Sequence, residues 1–128
     1  MTNKEIGNFG EDKACEFLEN NGISVIKRNY HARMGEIDII AKDGDTIVFV
    51  EVKTRSVDQN FDSSLYSPPS KAVTKTKQKH LIDAAMVYLK ASKSSKKQPR
   101  MDVIEVLIDK NTKDVLSINH IRNAYGLK

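Results

Sequence analysis

Gly35-Glu36-Ile37-Asp38-Ile39-Ile40-Ala41, followed by Asp43-Gly44-Asp45 and then Ile47-Val48-Phe49-Val50-Glu51-Val52-Lys53-Thr54-Arg55, is the stretch on which the fold turns. Two β-branched runs flank Asp-Gly and Gly-Asp pairs, which supply the positive φ that tight hairpin turns require, so the spacing predicts a β-hairpin. Successive strand side chains point to opposite faces. Ile37, Ile39 and Ala41 therefore share a face with Val48, Val50 and Val52, and that wholly apolar face must be core. The reverse face carries Glu36, Asp38 and Ile40 beside Ile47, Phe49, Glu51 and Lys53, apolar near the turn and charged away from it.

A turn centred on Gly44-Asp45 sets Asp38 opposite Glu51 and Glu36 opposite Lys53. One centred on Asp43-Gly44 sets Glu36 opposite Glu51, with Asp38 diagonal. Either register crowds three carboxylates and one lysine at one end of one face. Two carboxylates ~4 Å apart repel by about 4 kcal/mol at an effective dielectric of ~20, so the cluster needs a cation, either Lys53 with Arg55 or a metal.

Asp38 followed by Glu51-Val52-Lys53 has the form Asp…Glu-X-Lys. Two hard oxygen ligands suit Mg²⁺ or Mn²⁺. A lysine two residues beyond the second carboxylate, roughly 7 Å along the same strand face, is placed to orient water or to stabilise phosphoryl charge. Glu-X-Lys is also a common salt-bridging pattern on exposed strands. On the residues alone, a metal site and a structural ion network are evenly matched readings.

Outside the hairpin, Asn3 to Asn21 repeats Ile6, Phe9, Ala14, Phe17 and Leu18 at helical spacing, and Gly22 is a natural stop. Ile23 to Tyr30 alternates as a strand, and Asn29 to Met34 is a polar, basic connection. Ser56 to Ser70 contains Pro68-Pro69 and no periodicity; a loop of that length is either functional, arching over the charged end of the hairpin, or a surface insertion. Val73 to Ala91 reads as a helix with Leu81, Ile82, Ala85, Tyr88 and Leu89 as its buried stripe. Ser92 to Pro99 is a basic linker, Arg100 to Ile108 a strand, Asp109 to Asp114 a turn and Val115 to Ile121 a final strand.

The 128 residues suit one domain, spanning 1–128 and able to bury roughly two-thirds of its unfolded surface. The lone Cys15 excludes an internal disulfide and is read as packing. The longest apolar run, Ala84 to Leu89, is too short to span a bilayer, so a cytoplasmic protein with no membrane partner is expected. His31, His80 and His120 lack metal-ligand spacing, and Arg100 with Asp102 reads as a structural ion pair. A net charge of +4 and pI near 9.1 favour a polyanionic partner. The basic residues cluster at Lys27 to Arg33, at Lys71 to Lys79 and at Lys90 to Arg100, flanking one acidic cluster. Arg55, Lys71, Lys75, Lys77 and Lys79 are the expected contacts to a nucleic acid, DNA in the leading reading.

Gly35-Glu36-Ile37-Asp38 with Phe49-Val50-Glu51-Val52-Lys53-Thr54-Arg55 resembles the signature of the bacterial YraN-like family of endonucleases, within the restriction-endonuclease-like (PD-(D/E)XK) superfamily and akin to archaeal Holliday-junction resolvases. The resemblance runs through Gly10-Glu11, Asn29-Tyr30, Ala72-Val73, Lys77-Gln78, Ala84-Ala85, Tyr88-Leu89, Arg100, Asp102-Val103, His120-Ile121 and Asn123-Ala124. It implies an α/β, restriction-endonuclease-like fold, a central mixed β-sheet flanked by helices in the order α-β-β-β-α-β-β. It also implies metal-dependent hydrolysis of phosphodiester bonds in DNA, branched or otherwise structured DNA included. Asp38 and Glu51 would hold Mg²⁺ or Mn²⁺, Lys53 would be the catalytic lysine, Glu11 an accessory acid from the first helix, and Glu36 and Gln78 supporting residues behind them. Met101 and Tyr125 stand where Phe is usual, and the segment before Ala72 lacks an expected Phe-Gly pair, departures that bear on loop shape and substrate fit. Paired cuts need two active sites, so the superfamily admits a homodimer, although no residue establishes one. The rival expectations are a nucleic-acid-binding module of the same fold that cuts nothing, and a structural protein whose acids form only an ion network.

Overall fold

Thr2 opens the first helix with a capping box, its hydroxyl accepting the Glu5 N–H at 3.2 Å while the Glu5 carboxylate accepts the Thr2 N–H at 3.0 Å. In the computed structural model, which describes residues 1–58, 73–93 and 99–126, this helix is α1, Asn3–Asn20. Strands β1 (Ser24–Ala32), β2 (Gly35–Asp43) and β3 (Thr46–Val57) follow, then helix α2 (Lys75–Ala91) and strands β4 (Arg100–Asp109) and β5 (Val115–Tyr125). The five strands form one open sheet in the order β1-β2-β3-β4-β5. Only β3 and β4 run parallel, and parallel neighbours need a crossover, which is where α2 lies. No helix among the described residues is long and apolar enough to cross a membrane.

The helices cover opposite faces. Ala14 and Leu18 of α1 pack with Ile39, Ala41, Val48, Val50, Ile104, Val106 and Ile108. On the other side Leu81, Ile82, Ala85 and Leu89 of α2 pack with Ile40, Ile47, Phe49, Met101 and Val103. The hairpin turn is centred on Gly44-Asp45, with Asp43 opposite Thr46 and Gly44 at φ +60°, which selects the first of the two registers.

Strict alternation fails at one level of the sheet. Ile37 packs with Ile40 on the α2 side, whereas Ile39 packs on the α1 side. Residues three apart cannot share a face of a regular strand, so Ile37 does not join Ile39 as expected. Strand β1 changes phase at the same level: Arg28 reaches Glu11 and Asp12 of α1, while the Tyr30 ring meets Tyr88 of α2 edge-on. Between them Asn29 takes φ +53°, a region in which Asn is enriched several-fold.

Other boundaries moved less. Strand β1 continues to Ala32, leaving only Arg33-Met34 as the turn, and a bulge between Val25 and Lys27 exposes Ile26. Strand β5 passes Ile121 to Tyr125, with a register shift opposite Asp102 and Asn123 at φ +51°. Ser56 and Val57 prolong β3; the rest of the expected 56–70 loop from 59 onward lies outside the described residues, as do Lys71 and most of the 92–99 linker.

Gly10 is where α1 approaches β3: a Cβ built there would lie 2.7 Å from Thr54 Cβ and closer still to its hydroxyl. Gly7, one turn earlier, has nothing within 4 Å of such a Cβ. Gly7→Ala should therefore stabilise by about 0.5–1 kcal/mol, and Gly10→Ala should destabilise by about 1–3 kcal/mol, read as opposite shifts of the thermal midpoint. At position 29, Asn29→Gly should leave the midpoint near wild type while Asn29→Val lowers stability by about 1–2 kcal/mol, the penalty for a left-handed residue; equal midpoints would mean that the kink does not depend on this residue.

Candidate functional site

The β2–β3 ladder ends at the pair Ile39 and Val50. Beyond it the strands part, and the Val52 N–H is accepted by the Asp38 carboxylate at 2.8 Å. A backbone N–H withdrawn from water needs a partner, so the side chain replaces the ladder where the ladder stops. The opening is a cleft of about 670 Å³ whose walls include Glu11 and Ile6 from α1, Asp38 from β2, Glu51 and Thr54 from β3, and Lys77 from α2.

Glu51 is 6 % exposed, and its Oε1 receives two ammonium groups, Lys77 Nζ at 2.8 Å and Lys53 Nζ at 3.5 Å. Burial, then the Glu51 charge and more weakly that of Glu11, push the Asp38 carboxyl up to about 7, against the Val52 N–H and Lys77, which pull it down. Burial disfavours the charge on Lys77, but the hydrogen bond to Glu51 together with the charges of Glu51 and Asp38 outweighs it and raises the ammonium's pKa. Glu11 is tethered by Arg28 at 3.3 Å, and Arg28 also meets Asp12 at 2.8 Å. Glu36 borders the cleft from an exposed position and pairs with His31 Nδ1 at 3.5 Å.

Asp38, Glu51, Lys53 and Glu11 are thus brought to one place, and Lys77, expected only as a phosphate contact, joins them. Gln78 is not brought there: its Nε2 donates to the Val73 carbonyl at 2.9 Å, and it borders a second groove with Lys75, Lys79 and Tyr125. Lys79 pairs with Asp83 on the surface at 3.1 Å. The Arg55 guanidinium lies 3.3 Å from Glu105, a carboxylate 2 % exposed whose pKa burial raises. Arg28 and Asn29 were missed as parts of the site; an Asn two residues after Lys27 in a β pattern was the available signal.

Among the described residues no group of three or more His, Cys, Asp or Glu side chains is arranged to hold a metal ion. The donors present are two carboxylates, the set with which Mg²⁺ is commonly held when the remaining positions are water and substrate phosphate. Burial and the neighbouring Glu51 charge disfavour the Asp38 anion, an environment that a hard divalent cation at the pair would relieve.

Because the folded Asp38 binds its proton more tightly than an unfolded one, the protein without divalent metal loses stability through this group as pH rises from about 4 to about 7. Asp38→Asn keeps an oxygen for Val52 and removes the charge. Its thermal midpoint should exceed wild type at pH 8 in EDTA and lose that advantage at pH 4; an advantage independent of pH would dissociate the strain from ionisation.

The comparisons with known proteins agree along the length of the chain. Residues 10–106 match the model of a family described as uncharacterised protein family UPF0102. A UPF0102 protein of Caldicellulosiruptor saccharolyticus is 45 % identical over 98 % of this chain and 100 % of its own. One from Dictyoglomus thermophilum is 38 % identical over 98 % and 100 %, and one from Geobacter metallireducens 41 % identical over 99 % and 97 %. The chain therefore belongs to family UPF0102.

Proposed function

We propose that this protein is a Mg²⁺- or Mn²⁺-dependent endonuclease that hydrolyses phosphodiester bonds of DNA, branched or otherwise structured DNA being the substrate class suggested by the YraN-like, restriction-endonuclease-like resemblance. The observation that carries the reading is the carboxylate pair, Asp38 and Glu51, in a cleft made by the parting of two core strands and lined by Lys77, with the Lys53 ammonium 3.5 Å from Glu51. Asp38 is buried beside a second acid and raised by both, an arrangement of carboxylates that is enriched at functional sites.

Asp38 and Glu51 would hold the cation, which when bound supplies Lewis acidity at the phosphate and acidifies water. Lys53, its side chain 28 % exposed and its ammonium 3.5 Å from Glu51, would meet charge developing on the phosphoryl oxygens. Glu11, steered by Arg28, presents a further carboxylate to the cleft from α1. Lys75 and Lys79 project from the first turns of α2 as exposed phosphate contacts.

A second reading, a nucleic-acid-binding module that does not cut, is favoured because no three acids among the described residues, Glu11 included, are arranged to hold a metal ion together. Lys53→Met separates the two. Single-turnover cleavage of labelled linear, nicked, flapped and four-way DNA in Mn²⁺ should fall about a hundred- to a thousandfold, while affinity in Ca²⁺ and the thermal midpoint change little, with Glu51→Ala as the inactive control. Wild-type binding with no Glu51-dependent cleavage would establish the binding module; a collapse of the midpoint in Lys53→Met with no cleavage to lose would establish the ion network.

A further inference from the structure

Lys77 is the expected phosphate contact that lines the carboxylate cleft. Its ammonium is 2.8 Å from Glu51 Oε1, closer than that of Lys53 at 3.5 Å on the same oxygen. Asp38, by contrast, accepts from the Val52 N–H. The positive charge inside the cleft is therefore concentrated on one oxygen of one acid. A divalent ion held by Asp38 and Glu51 would have to share that oxygen with an ammonium, and like charges at such separations repel strongly in a partly buried site.

The two lysines are not equally able to leave. Lys53 is 28 % exposed on a central strand, whereas Lys77 is 44 % exposed at the start of α2. The Lys77 backbone is fixed by its N–H bond to the Thr74 hydroxyl at 3.1 Å, so only the side chain need swing. Outside the cleft it joins Lys75 and Lys79 on the exposed first turns of the same helix.

We propose that Lys77 is an internal counter-ion for Glu51 that a divalent cation displaces, and that the displaced ammonium then contacts the nucleic-acid backbone. The proposal rests on the metal-dependent reading above and adds regulation to it: metal binding and nucleic-acid binding favour each other through one side chain. Such coupling is reciprocal, so nucleic acid that captures Lys77 also raises affinity for the metal.

The test titrates Mn²⁺ into the full chain without nucleic acid, for wild type, Lys77→Met, Lys77→Gln, Lys77→Arg and Glu51→Gln, with thermal midpoints to confirm folding. Removing both the competing hydrogen bond and the repulsive charge should tighten Mn²⁺ binding about tenfold in Lys77→Met. Lys77→Gln should follow it and Lys77→Arg should not. DNA affinity should rise on adding Ca²⁺ in wild type, and rise less in Lys77→Met. Glu51-dependent Mn²⁺ binding that is equal or weaker in Lys77→Met and Lys77→Gln would overturn the counter-ion role while leaving the metal site standing. No Mn²⁺ binding in wild type or in any Lys77 variant would overturn the metal reading and this proposal with it.

Discussion

A backbone N–H at Val52 that has lost its ladder partner constrains everything around the cleft. Strands β2 and β3 pair from the Gly44-Asp45 turn as far as Ile39 and Val50, and past that point the sheet must either continue or satisfy its orphaned donor another way. The Asp38 carboxylate does so at 2.8 Å, which fixes the side chain at the mouth of the opening. The phase change at Asn29 in β1 and between Ile37 and Ile39 in β2 lies at the same level. The strands can part there without exposing the core, because Ile37 turns to pack under α2 as Ile39 remains under α1. The close approach of α1 at Gly10 then brings Glu11, the next residue, to the same opening.

A second carboxylate meets the same backbone problem with the opposite electrostatic outcome. Asp102, fully buried, accepts the Asn123 N–H at 2.9 Å where the β4–β5 register shifts. Burial alone would raise its pKa, but His120 at 2.7 Å, Arg100 at 3.0 Å and the Asn123 N–H outweigh burial and hold it down. A depressed acid contributes stability above its unfolded pKa and gives it up as pH falls through the folded value, whereas Asp38, being raised, opposes folding in the neutral range. Asp102 thus bears out the expected structural ion pair with Arg100, now extended through Asp43 at 2.8 Å. The contrast is informative because both acids sit at sheet irregularities and both cap a stray N–H. Only Asp38 is raised, and it is the one that borders a cleft.

Most of the architecture was legible in local pattern. The element order α-β-β-β-α-β-β, the hairpin and the two apolar faces follow from periodicity and turn residues, and the mixed sheet with helices on both faces matches the expectation. The site was legible as a crowding of Glu36, Asp38, Glu51 and Lys53, because strand register is a local rule. What escaped was whatever depends on a break in that rule: the phase change at Asn29 makes the literal pairing of Asp38 against Glu51 on one flat face only approximate. Tertiary placement escaped too. Nothing in the spacing of Lys75, Lys77 and Lys79 distinguishes the lysine that reaches Glu51 from the one that pairs with Asp83, since the difference lies in how α2 is rotated on the sheet. Gln78 shows the same limit, its amide spent on the Val73 carbonyl beside the helix start.

The first turn of α2 carries the remaining step. A helix N-terminus bears partial positive charge, so acids there stabilise and lysines there cost about 0.3–1 kcal/mol each. Helix α1 obeys the rule with Glu5 in its first turn, while α2 has no acid in its first turn and places Lys75 and Lys77 there. Local propensity alone does not account for that choice. Glu51 across the cleft compensates Lys77, while Lys75 is exposed at the helix start. A helix start that is unfavourable in isolation is thus offset by a carboxylate from the neighbouring strand, Glu51, which Lys77 reaches at 2.8 Å.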